Sequence, residues 1–94
     1  MNSMHEYLKR SLKIVLDRLQ EAYTHKLIDC IVITTSDVCV ESHVEFDIVY
    51  NEFPLLCKEF GLVPTDIHDI YTTPEHLQIA VDAIKNISRK LNFN

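Results

Sequence analysis

The sequence predicts a small α+β domain in which an antiparallel β-hairpin is covered by amphipathic helices near the two ends of the chain. Apolar residues recur at spacings of three and four between residues 4 and 26, and again after Pro74, as on one face of a helix. Residues 27–35 are rich in β-branched side chains, and residues 38–50 alternate between apolar and polar, as strands do. The predicted order is helix, strand, strand, helix, short element, helix, in two layers.

Length and composition limit this fold to a single domain over residues 1–94. The chain has one glycine and three prolines, with 47% hydrophobic and 24% charged residues, as in an ordinary globular protein. No apolar run approaches the roughly 18 residues that span a bilayer, and the start of the sequence lacks the apolar stretch of a signal peptide. We therefore expect a cytoplasmic protein that does not associate with membranes.

The first helix and the hairpin follow from the order of these patterns. No glycine or proline interrupts the apolar stripe of residues 4–26. The polar residues 34–37 predict a turn after the first strand. In the second strand, Val38 lies on the inward face and Val49 on the outward face. This strand would be thirteen residues long, which exceeds the usual five or six, so we expect it to bend or bulge.

Helical spacing returns after residue 51 and ends at Gly61, the only glycine. Helices commonly end with a glycine in the left-handed conformation, and Leu62 can then contact the last turn. Residues 67–71 fit either a short third strand or one to two turns of helix. Thr73 as cap and Pro74 in the first turn open the last helix.

Charge is the strongest indication of function. Residues 27–75 contain ten acidic residues and one basic residue, Lys58, within a chain of net charge −5. An acidic surface attracts basic partners and repels phosphate backbones. The predicted partner-binding residues lie on the outward face of the second strand and at the turn before it: Asp37, Glu41, His43, Glu45 and Asp47.

These residues predict a small non-enzymatic protein-binding module that docks a basic protein, in the manner of an adaptor, inhibitor, immunity protein or chaperone. The sequence contains no glycine-rich phosphate loop and no G-x-S-x-G or H-E-x-x-H element, so we expect neither catalysis nor a cofactor. Its three cysteines form no C-x-x-C pair, and Cys30 and Cys57 fit small buried hydrophobic positions. A narrow sheet leaves an edge unpaired, so we also expect a homodimer.

One alternative rests on residues 52–72. Apolar residues alternate here with a small residue, Cys57, and a glycine, Gly61. The apolar positions are Leu56, Phe60, Leu62, Ile67 and Ile70. This pattern resembles the helix-turn-helix of DNA-binding proteins, and the resemblance implies a DNA-binding regulator. Residues 64–71 carry two aspartates and no lysine or arginine, so nucleic acid is not the expected partner. DNA contacts would have to come from cations of the outer helices: Lys9, Arg10, Lys13, Lys85, Arg89 and Lys90.

A third hypothesis concerns chemistry on the predicted second strand. Glu41, His43 and Glu45 alternate along it, which places two carboxylates and an imidazole on the same side. Such groups can bind a divalent cation or act as an acid and base pair. A metal or hydrolytic site would also need groups from a second element, and the sequence does not identify them.

Overall fold

Helices dominate residues 3–92, the part of the chain that the computed structural model describes. The four helices are α1 Ser3–Thr24, α2 Thr35–Ser42, α3 Phe46–Glu59 and α4 Leu77–Asn92. The three strands are β1 Val32–Ile33, β2 Val63–Pro64 and β3 Tyr71–Thr72. They pair antiparallel in the order β1-β3-β2. The predicted class is confirmed: the protein is a small α+β domain with an antiparallel sheet and a helix near each end.

Residues 38–50 form the end of α2, the turn 43–45 and the start of α3, which corrects the predicted long second strand, the hairpin built on it and the predicted order of elements. The Thr34 N–H donates to the Asp37 carboxylate at 2.8 Å and thereby caps the start of α2. His43, with φ 59°, ends α2 in the left-handed conformation. A strand would place Val38 and Val49 on opposite faces, but both are fully buried here. Two helices bury both residues, so tertiary packing overrides the alternating pattern.

The core forms where α1 crosses α2 and α3. The predicted first helix is confirmed. Leu8 and Leu12 of α1 are fully buried against residues from the other elements. The whole buried cluster consists of Leu8, Leu12, Ile33, Val38, Val49, Phe53, Leu56, Cys57 and Leu62. The Phe53 and Tyr71 rings meet edge to face at 5.3 Å between centroids, which connects α3 to the sheet.

The end of α3 confirms the prediction at Gly61. Gly61 has φ 72°, and the Leu62 N–H donates to the Cys57 carbonyl at 2.9 Å across it. The chain then forms the hairpin of β2 and β3. Residues 65–70 form its loop, where the Ile70 N–H donates to the Ile67 carbonyl at 3.2 Å. Residues 67–70 are thus neither strand nor helix, and the third strand, β3, begins only at Tyr71, the last residue of the predicted segment.

Helices α2 and α3 are joined by residues 43–45 and followed by the β2–β3 hairpin, while β1 precedes α2 and pairs with β3. Helices α2 and α3, with the short turn between them, thus form a helix-turn-helix unit that is followed by a β-hairpin. The helix-turn-helix spans residues 35–59, which corrects its predicted position at 52–72. Residues 52–72 contain the end of α3 and the hairpin.

The last helix opens at the predicted residues, but the Thr73 side chain does not cap it. Thr73 occupies the N-cap position without a side-chain cap hydrogen bond, and Pro74 begins a 3-10 turn, Pro74–His76, that leads directly into α4. His76 is buried. Its Nδ1 accepts a hydrogen bond from the Ile31 N–H at 3.1 Å, and its ring lies 4.5 Å from that of Tyr23. Within residues 3–92, none of the helices is both long and apolar enough to cross a membrane.

Candidate functional site

The five predicted partner-binding residues do not form one strand face. Asp37 and Glu41 lie one turn apart on α2, His43 ends that helix, and Glu45 and Asp47 stand at the start of α3. Asp37 accepts hydrogen bonds from the N–H and hydroxyl of Thr34, and Glu41 pairs with Arg18 of α1. Asp37 and Glu41 therefore have partners within the chain, whereas Glu45 and Asp47 are exposed at the entrance to α3.

The metal hypothesis loses its geometric basis with the strand. In the part of the chain that the structure describes, no three His, Cys, Asp or Glu side chains are arranged to hold a metal ion. Glu41, His43 and Glu45 therefore do not converge on a common point. Glu41 instead lines a shallow cavity of about 270 Å³ between α1 and α2, together with Arg18 and Asp37.

A row of three ring side chains crosses the exposed face of α3 and reaches the hairpin loop. Phe46 and Tyr50 lie one turn apart and stack at 5.6 Å between ring centroids. The Tyr50 ring lies 5.7 Å from that of His68, and the Tyr50 Oη is 2.5 Å from the His68 Nε2. Phe46 is 48% exposed, and His68 is also exposed. Large exposed rings in a contiguous row are typical of a recognition surface.

Beside this row, α3 and the hairpin loop enclose a groove of about 270 Å³. It is lined by Tyr50, Asn51, Pro54, His68, Asp69 and Tyr71. Pro54 lies inside α3 and has no N–H, so it cannot donate the helical hydrogen bond to the Tyr50 carbonyl. The groove thus combines aromatic rings with a carboxylate, that of Asp69.

The Asp69 carboxylate is fixed at the back of this groove. It accepts hydrogen bonds from the N–H and the hydroxyl of Thr35, at 3.1 and 2.6 Å. A carboxylate has about four acceptor positions, so these bonds leave capacity for a further donor. Burial raises the pKa of the Tyr71 hydroxyl, and the negative charge of Asp69 adds to this shift. The Tyr71 hydroxyl is therefore uncharged at physiological pH, and its ring forms part of the groove wall.

The surrounding charge is strongly acidic. Residues 35–72, which hold the helix-turn-helix and the hairpin, contain eight acidic residues and a single basic one, Lys58. The exposed acids near the ring row in sequence are Glu45 and Asp47, on either side of Phe46, and Asp66, in the hairpin loop. A side chain that enters the groove therefore lies close to negative charge. This favours a positively charged side chain that donates hydrogen bonds.

Sequence reasoning missed the ring row and the groove, although part of the signal was present. Phe46 and Tyr50 are four residues apart, and on a helix this spacing makes them neighbours. The strand assignment instead placed both residues on the covered face. Residue 68 joins them only through the hairpin, which no local pattern reveals.

Comparison of the chain with protein-family models, with curated proteins and with solved structures finds no match. The protein is therefore described by its own structure, as a small α+β domain whose α3 and hairpin face is aromatic and acidic.

Proposed function

We propose that the chain is a non-enzymatic protein-binding module that docks a basic protein partner through α3 and the hairpin loop. The docking face consists of Phe46, Asp47, Tyr50, Asp66 and His68. The observation that carries the proposal is the exposed ring row Phe46–Tyr50–His68, set among acidic residues. Aromatic side chains supply most of the affinity at many interfaces, while charge complementarity selects the partner and speeds encounter.

The groove gives this proposal a specific anchor, an arginine side chain of the partner. A planar guanidinium stacks on aromatic rings and donates several hydrogen bonds. Tyr50 and Tyr71 supply the aromatic rings, and the Asp69 carboxylate supplies the acceptor. Lysine fits less well because its compact ammonium group cannot stack or donate in the same plane.

Part of the predicted acidic surface remains in this proposal. Glu45 and Asp47 lie at the exposed start of α3, next to Phe46, and extend the acidic rim of the docking face. Asp37 and Glu41 are left out because they bind Thr34 and Arg18 within the chain. His43 ends α2 in an exposed turn, and its contact with a partner stays a prediction.

The test is binding of a fluorescent nine-residue arginine peptide, followed by anisotropy at moderate salt, with a nine-residue lysine peptide for comparison. We expect tighter binding of the arginine peptide, and a loss of about tenfold or more for the double variant Asp47→Lys, Asp66→Lys. The control Asp17→Lys, Glu21→Lys has the same charge change on the exposed side of α1. Equal losses in the two double variants would reduce the interaction to non-specific attraction and overturn the proposal.

The ring row needs its own variant because charge reversal alone does not probe it. Tyr50→Leu keeps an apolar side chain at this position but removes the ring and its hydroxyl. We expect it to abolish the preference for the arginine peptide while the far-UV circular dichroism spectrum stays unchanged. An intact preference would exclude the groove as the anchor.

A second candidate, DNA binding, is favoured by one observation, the helix-turn-helix topology. In such domains the second helix of the motif enters the major groove. Here α3 brings Asp47, Glu52 and Glu59 and one cation, Lys58, so approach to phosphates is electrostatically opposed. A gel shift with a mixed-sequence duplex at low salt separates the two candidates. Binding lost on replacing Lys9, Arg10 and Lys13 by alanine would favour the regulator.

The cytoplasmic location expected from the sequence stays a prediction. The homodimer expected from an unpaired sheet edge is also untested. The outer strands β1 and β2 have two residues each, so pairing of two copies edge to edge would form very few hydrogen bonds. A homodimer of this chain needs a larger surface than the sheet edge offers.

A further inference from the structure

The docking face contains one histidine, His68, whose side chain is exposed in the hairpin loop. Its other members are Phe46, Asp47, Tyr50 and Asp66. Histidine is the side chain whose charge ordinarily changes between pH 5 and 8, whereas carboxylates and phenols ordinarily change charge outside this range. Of the five residues, His68 is therefore the one whose charge responds to a change from neutral to mildly acidic pH.

Contact with Tyr50 holds the His68 ring against α3. The Tyr50 Oη lies 2.5 Å from the His68 Nε2, and the two ring planes meet at 56°. The titratable residues that line the groove together with His68 are Tyr50 on α3, Asp69 in the hairpin loop and Tyr71 on β3. A positive charge that appears on the His68 ring therefore appears in the wall of the groove, beside these three residues.

The protonation state of His68 decides what the Tyr50 hydroxyl offers to a partner. When the neutral imidazole accepts through Nε2, the hydroxyl donates to it, and both lone pairs of the Tyr50 oxygen are available to another donor. In a protonated imidazole both nitrogens donate. The Nε2–H then occupies one lone pair of the Tyr50 oxygen, and the hydroxyl hydrogen points away from the ring. Protonation of His68 thus puts a donor where an acceptor was.

Both changes act against an arginine side chain in the groove. A guanidinium group carries a positive charge and has donors but no acceptor. A protonated His68 places a like charge beside it, and the Tyr50 hydroxyl then presents a hydrogen to it instead of an oxygen. The Asp69 carboxylate, which Thr35 holds in place, still attracts the guanidinium. We therefore expect protonation to weaken binding rather than to abolish it.

We infer that His68 makes docking of the basic partner dependent on pH, with tight binding of an arginine side chain when His68 is neutral and weaker binding when it is protonated. This inference rests on the proposed function, because it concerns the same groove and the same partner chemistry. The geometric basis is the contact between Tyr50 and His68, which places the imidazole directly against a ring of the groove. Mild acidification thus releases the partner without unfolding the protein.

Anisotropy of the fluorescent nine-residue arginine peptide at pH 8 and pH 5.5, in the same moderate salt, tests this inference. Arginine is charged at both pH values. We expect the natural chain to bind about two- to fivefold more weakly at pH 5.5. His68→Gln keeps a hydrogen-bonding side chain that cannot be protonated, so it should lose most of this difference. The matched control His25→Gln removes an exposed histidine just beyond α1 and should keep the difference. Far-UV circular dichroism at both pH values checks that the fold is intact.

A second variant, His68→Lys, carries a positive charge at both pH values. We expect it to bind the arginine peptide at pH 8 as weakly as the natural chain does at pH 5.5. Equal binding of the natural chain at the two pH values, or the same pH effect in His68→Gln, would overturn this inference and leave the proposed function standing. If the natural chain does not bind the arginine peptide at pH 8, both are overturned.

Discussion

The Asp69 carboxylate accepts two hydrogen bonds from Thr35, one from its N–H at 3.1 Å and one from its hydroxyl at 2.6 Å. Thr35 is the first residue of α2, and Asp69 lies in the hairpin loop with φ 64°. A negative charge is favourable at this end of a helix. The contact therefore fixes the hairpin loop against the helix-turn-helix and sets the width of the groove between them.

Replacing Asp69 should destabilise the protein. Asp69→Asn converts one of two acceptors into a donor that faces another donor, and we expect a loss of about 1 to 2 kcal/mol in the free energy of unfolding. Asp69→Ala should cost more, since alanine also tolerates the left-handed conformation poorly. Urea unfolding measures both. Asp66→Asn, on the exposed part of the same loop, is the control, and an equal loss there would contradict the assigned role.

A second prediction concerns pH and the contact between α1 and α3. His5 Nε2 lies 2.7 Å from Glu59 Oε2, and Nδ1 lies 3.2 Å from Glu52 Oε1. The hydrogen bond to Glu59 raises the pKa of His5, burial opposes this shift, and Glu52 adds to it. The protonated ring is thus favoured in the folded state.

Because the folded pKa exceeds the unfolded value of 6.5, this contribution is fully present below pH 6.5. It is lost as the pH rises through the folded pKa. We expect His5→Gln to remove about 0.5 kcal/mol of stability at pH 6 and much less at pH 9. His25→Gln, one residue beyond the other end of α1, is the control. Thermal unfolding of all three proteins across this range checks the sign, and a loss that grows with pH would refute it.

Gly61 gives a prediction about the backbone alone. Its φ is 72°, and a Cβ at this position would meet no atom within 4 Å. Gly61→Ala should therefore cost about 1 kcal/mol, through the left-handed conformation only. Gly61→Asn should cost less, because asparagine adopts this conformation more readily. Chemical denaturation compares the two variants. Losses of several kcal/mol for alanine would indicate a steric clash that the structure does not contain.

The three free cysteines should differ in reactivity. Cys57 is fully buried, and burial together with the nearby Asp69 raises its pKa to about 12. Cys30 and Cys39 are only partly buried. Because the thiolate is the reactive form, we expect iodoacetamide to modify Cys30 and Cys39 first and Cys57 only on unfolding. Mass spectrometry of timed samples follows this order. Early labelling of Cys57 in the folded protein would be inconsistent with its burial.

The elements that the sequence predicted correctly are those whose signals are local. Gly61 ends α3 because only a residue that tolerates positive φ fits there, and Pro74 opens a helix because its fixed φ suits a first turn. The segment 38–50 was mispredicted because its alternation also suits two short helices separated by a left-handed residue. The capping box from Thr34 to Asp37 is the available signal for α2, but the same polar residues also fit a turn.

The docking face could be predicted only in its charge. Asp47 stands out in the sequence as part of an acidic stretch, and it lies on the face that we propose. The partnership of Tyr50 with His68 depends on the hairpin folding back onto α3, which is a long-range event. Glu41 illustrates the opposite error: its charge is visible in the sequence, but Arg18, which pairs with it, is 23 residues away.

The sheet has only two residues in each strand, and this has a consequence for how the chain reaches its fold. Most backbone hydrogen bonds form within helices, between residues four apart, and few join residues that are distant in the sequence. Chains with mainly local contacts fold within microseconds to milliseconds. The slowest step should be closure of the hairpin onto β1, after the three helices of the core have already collapsed together.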